Sequence, residues 1–167
     1  MKVRLVLLGF ALLASTAMAG AQTKVSGTVT CAKPDPQTAL PVGDRDGHAF
    51  VVMKQKCTWT KPVELAGQQA KTGEDTVFSE MDGGKGRDSG FDVTTMSGGD
   101  TFVVHFSGSS VADKNGKLQT QTGSWSFVRG SGKLKGLTGK GTYKGTGNAE
   151  GGSTVEIEGE YQIEPGR

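Results

Sequence analysis

A glycine-rich, basic ribbon from Trp125 to Gly147 is the first feature of the sequence that could do chemistry. It reads WSFVRGSGKLKGLTGKGTYKGTG and carries five basic side chains and no acidic one. Such a ribbon could cradle a phosphate, bind nucleic acid or form the corners of a β-sheet. The ribbon matches neither of two phosphate-binding motifs. Leu134 stands where a Walker-type loop needs glycine, and Lys135 stands where the dinucleotide-binding fingerprint needs glycine.

Neither histidine has sequence neighbours that indicate a catalytic role. His105 lies among apolar residues that occupy the opposite face of a predicted strand, so we expect it to face solvent, and His48 stands near a predicted barrel mouth. No G-x-S-x-G nucleophile elbow is present. We therefore assign no catalytic residue and expect no cofactor. Five charged residues lie at predicted strand ends, where we expect them to be solvated in turns. Alternatively, they could line the mouth of the barrel. These residues are Glu80, Asp82, Arg87, Asp88 and Asp100.

The two cysteines, Cys31 and Cys57, predict one disulfide that ties the first strand to the second. Closing this loop would stabilise the fold by about 3 to 4 kcal/mol. A redox pair would need C-x-x-C spacing, and a metal site would need further ligands at a suitable spacing. We expect no metal.

The N-terminus has the pattern of a secretory signal peptide. Basic residues are followed by the apolar run from Leu5 to Leu13 and by small residues with a cleavage site after Ala19, or alternatively after Ala21. The run is shorter than the roughly 20 residues of a membrane-spanning helix. This pattern predicts a signal peptide over 1–19, a single domain over 20–167, a periplasmic or extracellular location, and no membrane span after cleavage.

The charge balance gives no support for nucleic-acid binding. Removal of Lys2 and Arg4 with the leader leaves 17 of the 19 basic residues, which equals the number of acidic residues, 17. A near-neutral exported domain lacks the overall basic charge of a nucleic-acid binder. We expect no nucleic-acid partner.

The body of the chain predicts an all-β fold. Residues 20–167 hold 26 of the 27 glycines and show no sustained helical period, and short alternating segments recur between turn residues. Tight turns at Gly83-Gly84, Gly98-Gly99 and Asn115-Gly116 favour hairpins. The pattern predicts a single eight-stranded antiparallel up-and-down barrel with strands over 23–31, 47–60, 74–81, 89–97, 101–111, 117–129, 138–147 and 153–163.

Two longer connections interrupt this pattern. Residues 32–46 carry three prolines and are expected to form a loop closed by the disulfide. Residues 61–73 are expected to form a second loop, with room for a single helical turn.

Alternation along the last two strands separates charge from aromatic rings. It places Lys140 and Lys144 outside, opposite Glu160 and Glu156 of the final strand, where opposite charges stabilise a strand pair and fix its register. The inner face then carries glycines, which make room for a ring or a sharp bend. Four aromatic residues are expected to point inward, either as core or as the wall of a ligand site: Trp125, Phe127, Tyr143 and Tyr161.

The segment from Arg129 to Tyr143, RGSGKLKGLTGKGTY, resembles a pattern found between two late strands of the allene oxide cyclase and dirigent barrel-like superfamily. The wider chain resembles small exported bacterial proteins of unassigned role with such a barrel. The resemblance implies a calycin-like barrel in which Gly130 to Gly136 crosses one mouth. It transfers no catalytic residue.

Three functions remain open at this point. The first is a non-catalytic binding module for a small apolar or aromatic ligand. The second is a closed structural or protein-binding domain of the envelope, and the third is an enzyme of the cyclase or isomerase kind. A cavity inside the barrel would separate the ligand-based functions from a filled scaffold.

Overall fold

The computed structural model describes residues 22–164, and the predicted signal peptide lies outside them. Within this range no helix is long and apolar enough to cross a membrane. Residues 22–164 form ten strands and one 3₁₀ turn, Gly132–Leu134. The strands are β1 Thr23–Cys31, β2 Gln37–Pro41, β3 Ala49–Lys61, β4 Glu64–Leu65, β5 Gln68–Asp82, β6 Lys85–Met96, β7 Thr101–Ala112, β8 Leu118–Gly130, β9 Leu137–Gly147 and β10 Ser153–Ile163.

Eight of these strands close into an antiparallel barrel. From β5 to β10 each strand pairs with the next in sequence, β3 pairs with β5, and β1 pairs with both β3 and β10. Neighbours in sequence are therefore neighbours in the barrel, which confirms the predicted up-and-down order. The predicted bounds of β1 and β10 agree with the structure, and the other barrel strands begin or end within a few residues of prediction except for the early start of β5.

The expected loop over 32–46 contains a strand that the sequence did not reveal. β2 pairs with the first half of β3, from Gln37 opposite Met53 to Pro41 opposite Ala49, while β1 pairs with the second half. Prolines at 34 and 36 cannot donate to a strand pair. The segment between β1 and β2 therefore leaves a gap in the strand pairing along β3.

The expected helical turn within 61–73 is absent, because this segment is extended. Glu64 and Leu65 pair with Gln69 and Gln68 across a two-residue turn. Ala66 and Gly67 occupy this turn with φ angles of 50° and 74°. A two-residue hairpin turn needs such positive φ values, which are usually provided by Asn, Asp or Gly. Because alanine occupies the first position, the sequence pattern did not indicate this turn.

One end of the barrel is closed by apolar side chains. Leu65, Met96 and Leu134 are each at most 1% exposed and belong to one core cluster. They come from the turns between β4 and β5, β6 and β7, and β8 and β9. The segment from Gly130 to Gly136 lies at this end and inserts Leu134 into the core.

Large aromatic rings lie flat against inward-facing glycines. A Cβ atom at Gly141 or at Gly159 would come within 2.6 Å of the Trp125 indole. A Cβ atom at Gly108 or at Gly123 would come within 2.6 Å of an atom of Tyr143. The glycines therefore make room for rings against the wall, as the sequence predicted.

The outer face of β9 and β10 has the predicted register. Glu156 lies opposite Lys144, and Glu160 lies opposite Lys140. The sequence analysis did not anticipate Lys24 of β1, whose Nζ lies 2.9 Å from the Glu160 carboxylate. The hydrogen bond from Lys24 lowers the pKa of Glu160. Glu160 thus links three strands through charge.

The seating of Trp125 on glycine can be tested by Gly141→Ala. The new Cβ would lie 2.0 Å from the Glu158 carbonyl oxygen and 2.6 Å from the indole, so strand or ring must move. We expect a loss of about 1 to 3 kcal/mol in the free energy of unfolding, typical of overpacking. Denaturant unfolding followed by tryptophan fluorescence measures it. Thr146→Ala, at an exposed position of the same strand, is the control, and equal stability of both variants would contradict the seating.

Candidate functional site

A cavity of about 690 Å³ lies inside the barrel and opens away from the closed end. Its rim is formed by the segment after β1, the hairpin between β7 and β8, and the hairpin between β9 and β10. Rim residues include Lys33, Pro34, Asn115, Lys117 and Gly151. Small-molecule sites in proteins have volumes of about 300 to 1,000 Å³. The barrel is therefore not filled by its own side chains.

Aromatic rings form one wall of the cavity. Trp125 and Phe127 meet edge to face with centroids 5.1 Å apart, and Phe106 meets Tyr143 in the same way at 6.1 Å. All four side chains line the cavity. Three of the four predicted ligand-wall residues are thus brought together: Trp125, Phe127 and Tyr143.

The fourth predicted residue, Tyr161, lies elsewhere. It faces inward and packs against the core, but it is not among the cavity-lining residues. Its strand partners are Thr23, the first residue of β1, and Gly139 near the start of β9. Both are at the closed end of the barrel, where the interior is filled.

The opposite wall carries a pair of acidic side chains. Asp75 of β5 and Asp92 of β6 are direct cross-strand partners, and both line the cavity. Each carboxyl group shifts the pKa of the other. The hydroxyl of the buried Thr94 donates to Asp92 Oδ1 at 2.5 Å, and the indole N–H of Trp59 donates to Thr94 Oγ1 at 3.2 Å. A chain of donors therefore leads from Trp59 to the acid pair.

The environment of the pair favours a bound proton. Burial raises the pKa of Asp75 well above its usual value, and the adjacent negative charge of Asp92 raises it further. Burial also raises the pKa of Asp92 to about 6, against the lowering effect of the hydrogen bonds from Thr94 and Asp75. Burial and the proximity of the two carboxyl groups therefore favour the protonated form of the pair.

The predicted disulfide is present, and it faces the cavity. Cys31 and Cys57 are cross-strand partners of β1 and β3 joined by an S–S bond. Asp75 Oδ2 lies 3.6 Å from Cys57 Sγ and 3.8 Å from Cys31 Sγ. These three residues cluster closely enough to surround a metal ion. Because the sulfur atoms are bonded to each other, they cannot act as thiolate ligands.

A third acidic group lies on the same side of the cavity. The Ser79 hydroxyl donates to Asp88 Oδ1 at 2.5 Å, and both residues line the cavity. Burial raises the pKa of Tyr143 to about 12, with further contributions from the negative charges of Asp88 and Asp75. The interior thus has an aromatic wall and an acidic wall.

The charged residues predicted at strand ends are separated by the fold. Only Asp88 lines the cavity. Glu80 and Asp82 lie outside it, where Glu80 Oε1 is 3.3 Å from His48 Nε2 and Asp82 pairs with Arg45. Asp100 lies at the closed end and accepts hydrogen bonds from Gln68 Nε2 and the Lys133 N–H. Arg87 is exposed.

Both histidines make their side-chain contacts outside the barrel interior. His48 Nδ1 lies 2.6 Å from Asp44 Oδ1 in addition to its contact with Glu80. His105 lies on the outer face, as expected, with Nε2 3.2 Å from Ser89 Oγ. Neither ring is among the cavity-lining residues.

Asp75 and Asp92 were missed by sequence reasoning, although a signal for them exists. The two-residue turn at Gly83 and Gly84 fixes the register of β5 and β6, and this register sets Asp75 directly opposite Asp92. Like charges directly opposite each other destabilise a sheet. Such a pair in a predicted hairpin is therefore a marker of a functional position.

Fold and site together define a class: a small up-and-down antiparallel barrel with an open interior lined by rings and acids. No family model matches the chain, and no curated protein matches it. Its fold is similar to the crystal structure of a protein of unknown function from the DUF3224 family of Shewanella oneidensis MR-1. The TM-score is 0.54 at 21% sequence identity, over 87% of this chain and 100% of that one.

The acid pair gives stability a specific pH dependence. Both groups bind protons more tightly in the folded chain than in the unfolded chain, so stability is greatest below the ordinary aspartate pKa of about 4 and falls as pH rises through the raised values. Asp75→Asn keeps a polar side chain beside Asp92 and removes one of the two groups that titrate. We expect a Tm several degrees higher at pH 7 and a shallower decline of Tm between pH 4 and pH 7.

Thermal unfolding by circular dichroism at several pH values measures this effect. Glu158→Gln, which removes an exposed carboxylate from β10, is the control and should leave the decline unchanged. A Tm at pH 7 that is lower in Asp75→Asn than in the unmodified chain would contradict the raised pKa of the pair.

Proposed function

We propose that this protein is an exported, non-catalytic binding barrel that holds one small apolar or aromatic ligand in its interior. The observation that carries the proposal is the cavity of about 690 Å³, open at one end and lined by Trp125, Phe127 and Phe106. Eight-stranded barrels of this kind can enclose one small ligand. A ring-shaped ligand would complete the edge-to-face contacts that these side chains already make with one another.

Export is part of the proposal and rests on two features. The N-terminal residues 1–19 have the signal-peptide pattern. The Cys31–Cys57 disulfide is the chemistry of an oxidising compartment. A periplasmic or extracellular binding protein would meet its ligand outside the cytoplasm.

The open interior favours this function over a closed structural domain. A scaffold would be more stable if side chains filled the barrel, because an unfilled interior loses packing contacts. The chain instead seats its largest rings against glycines, which keeps the centre clear.

A second candidate is an acid–base enzyme of the isomerase or cyclase kind. Two observations favour it: the resemblance of the Arg129 to Tyr143 segment to the allene oxide cyclase and dirigent superfamily, and the two buried carboxyl groups of Asp75 and Asp92, which face the cavity and have raised pKa values. One carboxylate beside one carboxyl group can remove a proton from a ligand and return it at another atom.

Ligand binding is tested with N-phenyl-1-naphthylamine, a neutral aromatic probe whose emission rises in an apolar site. We expect saturable binding of one probe per chain. Val155→Trp should weaken binding at least tenfold, because Val155 lines the cavity and the larger ring would occupy the probe's volume. Thr154→Trp, the neighbouring position on the same strand, is the matched control. Absence of binding to the unmodified chain, or equal loss in both variants, would contradict the proposal.

Catalysis is tested on the ligand that copurifies with the protein from its own host. The ligand is extracted, incubated with fresh protein and analysed by chromatography and mass spectrometry. A binder returns it unchanged. An isomerase converts it to a product of the same mass and different retention, and this conversion should be lost in Asp92→Asn.

A further inference from the structure

The charges inside the cavity have one sign. Asp75, Asp88 and Asp92 line it, and the only basic residues that line it within the described chain are Lys33 and Lys117. Both lysines are exposed and belong to the rim. The groups that surround the acid pair on the neighbouring strands are neutral: Gln55, the Cys31–Cys57 disulfide and Trp59. The deep cavity therefore holds negative charge without an internal counter-charge.

Aromatic faces lie next to these acids. Trp59 lines the cavity and is joined to Asp92 through Thr94 by two hydrogen bonds. Trp125, Phe106 and Tyr143 form the facing wall. A carboxylate beside aromatic faces is the combination by which proteins recognise organic cations, since both the charge and the ring quadrupole attract a positive group.

An unpartnered polar group also points to a ligand. Ser153 lines the cavity, is 2% exposed, and its Oγ has no hydrogen-bond partner within residues 22–164. It lies beside Cys31, its cross-strand partner, on the side of the disulfide away from Asp75. A buried hydroxyl without a partner costs free energy. A polar atom of a ligand would satisfy it.

We propose that the cavity takes an organic cation: a protonated or quaternary amine carried on an apolar or aromatic body. The cationic group lies against Asp75 and Asp92, and the apolar body lies against Trp125 and Phe106. A further polar atom of the ligand reaches Ser153. This inference rests on the ligand-binding function proposed above and names the ligand class of the same site.

The electrostatic field inside the cavity disfavours an anionic ligand. The raised pKa of Tyr143 reflects, after burial, the negative charges of Asp88 and Asp75, which would act in the same way on a bound anion. The rim lysines are exposed to solvent and screened by salt, whereas the acid pair is enclosed. An anion held at the rim would leave the aromatic wall unused.

The test compares three probes of matched shape: 1-naphthylmethylamine, 1-naphthylmethanol and 1-naphthoic acid. Dissociation constants are measured at pH 7 by calorimetry on the unmodified chain. We expect the amine to bind at least tenfold more tightly than the alcohol and the acid to bind most weakly. In the double variant Asp75→Asn, Asp92→Asn the advantage of the amine should disappear while the alcohol binds as before. Glu74→Gln, an exposed neighbour of Asp75, is the matched control.

A pH series on the unmodified chain tests the same point without a variant. The amine stays protonated from pH 7 to pH 5, while Asp92, with its pKa raised to about 6, becomes neutral. Amine affinity should therefore fall about tenfold over this range. Affinity for the alcohol should not change.

The possible failures can be told apart. An alcohol or acid that binds as tightly as the amine, or amine binding that is unaffected by pH and by the double variant, overturns the cation assignment. Absence of amine binding overturns it as well. The ligand-binding function itself is decided separately, by the N-phenyl-1-naphthylamine experiment with Val155→Trp and Thr154→Trp.

Discussion

Closure of the sheet through β1 sets the conditions for everything inside the barrel. β1 pairs with β10 along one edge and with β3 along the other, and the disulfide lies in the second of these pairings. With eight strands the enclosed space is narrow, so each inward side chain decides whether a level of the barrel is filled or open. At one end Leu65, Met96 and Leu134 fill it. At the other end large rings are pressed against glycine, and the centre stays clear.

The open half of the barrel places acids where a stable core would have apolar side chains. Burying Asp75 and Asp92 together raises the pKa of both groups and disfavours their ionisation, and Asp92 accepts a hydrogen bond from Thr94. Proteins tend to break the rules of stable packing at functional sites and to compensate elsewhere. Here the compensation comes from the filled end, the closed strand pairing and the disulfide.

Much of the fold could be predicted because its signals are local. Turn residues separate the strands, alternation sets Lys144 against Glu156, and two cysteines behind a signal-peptide pattern predict their own bond. The missed elements lacked such signals. β2 follows two prolines, which are typical of a loop, and the turn after β4 begins with Ala66 in a conformation that alanine rarely adopts.

The sequence by itself determined the number and order of the barrel strands, the disulfide, and three of the aromatic side chains that line the cavity. Only the tertiary structure decided which face of β6 points inward. Alternation divides that strand into two sets, and the apolar set would be expected inside, yet Phe91 and Val93 are 49% and 47% exposed while Asp92 faces the cavity. The physical reason is that closure fixes the orientation of every strand through its neighbours, so the register of β5 with β6 outweighs the hydrophobicity of a single strand.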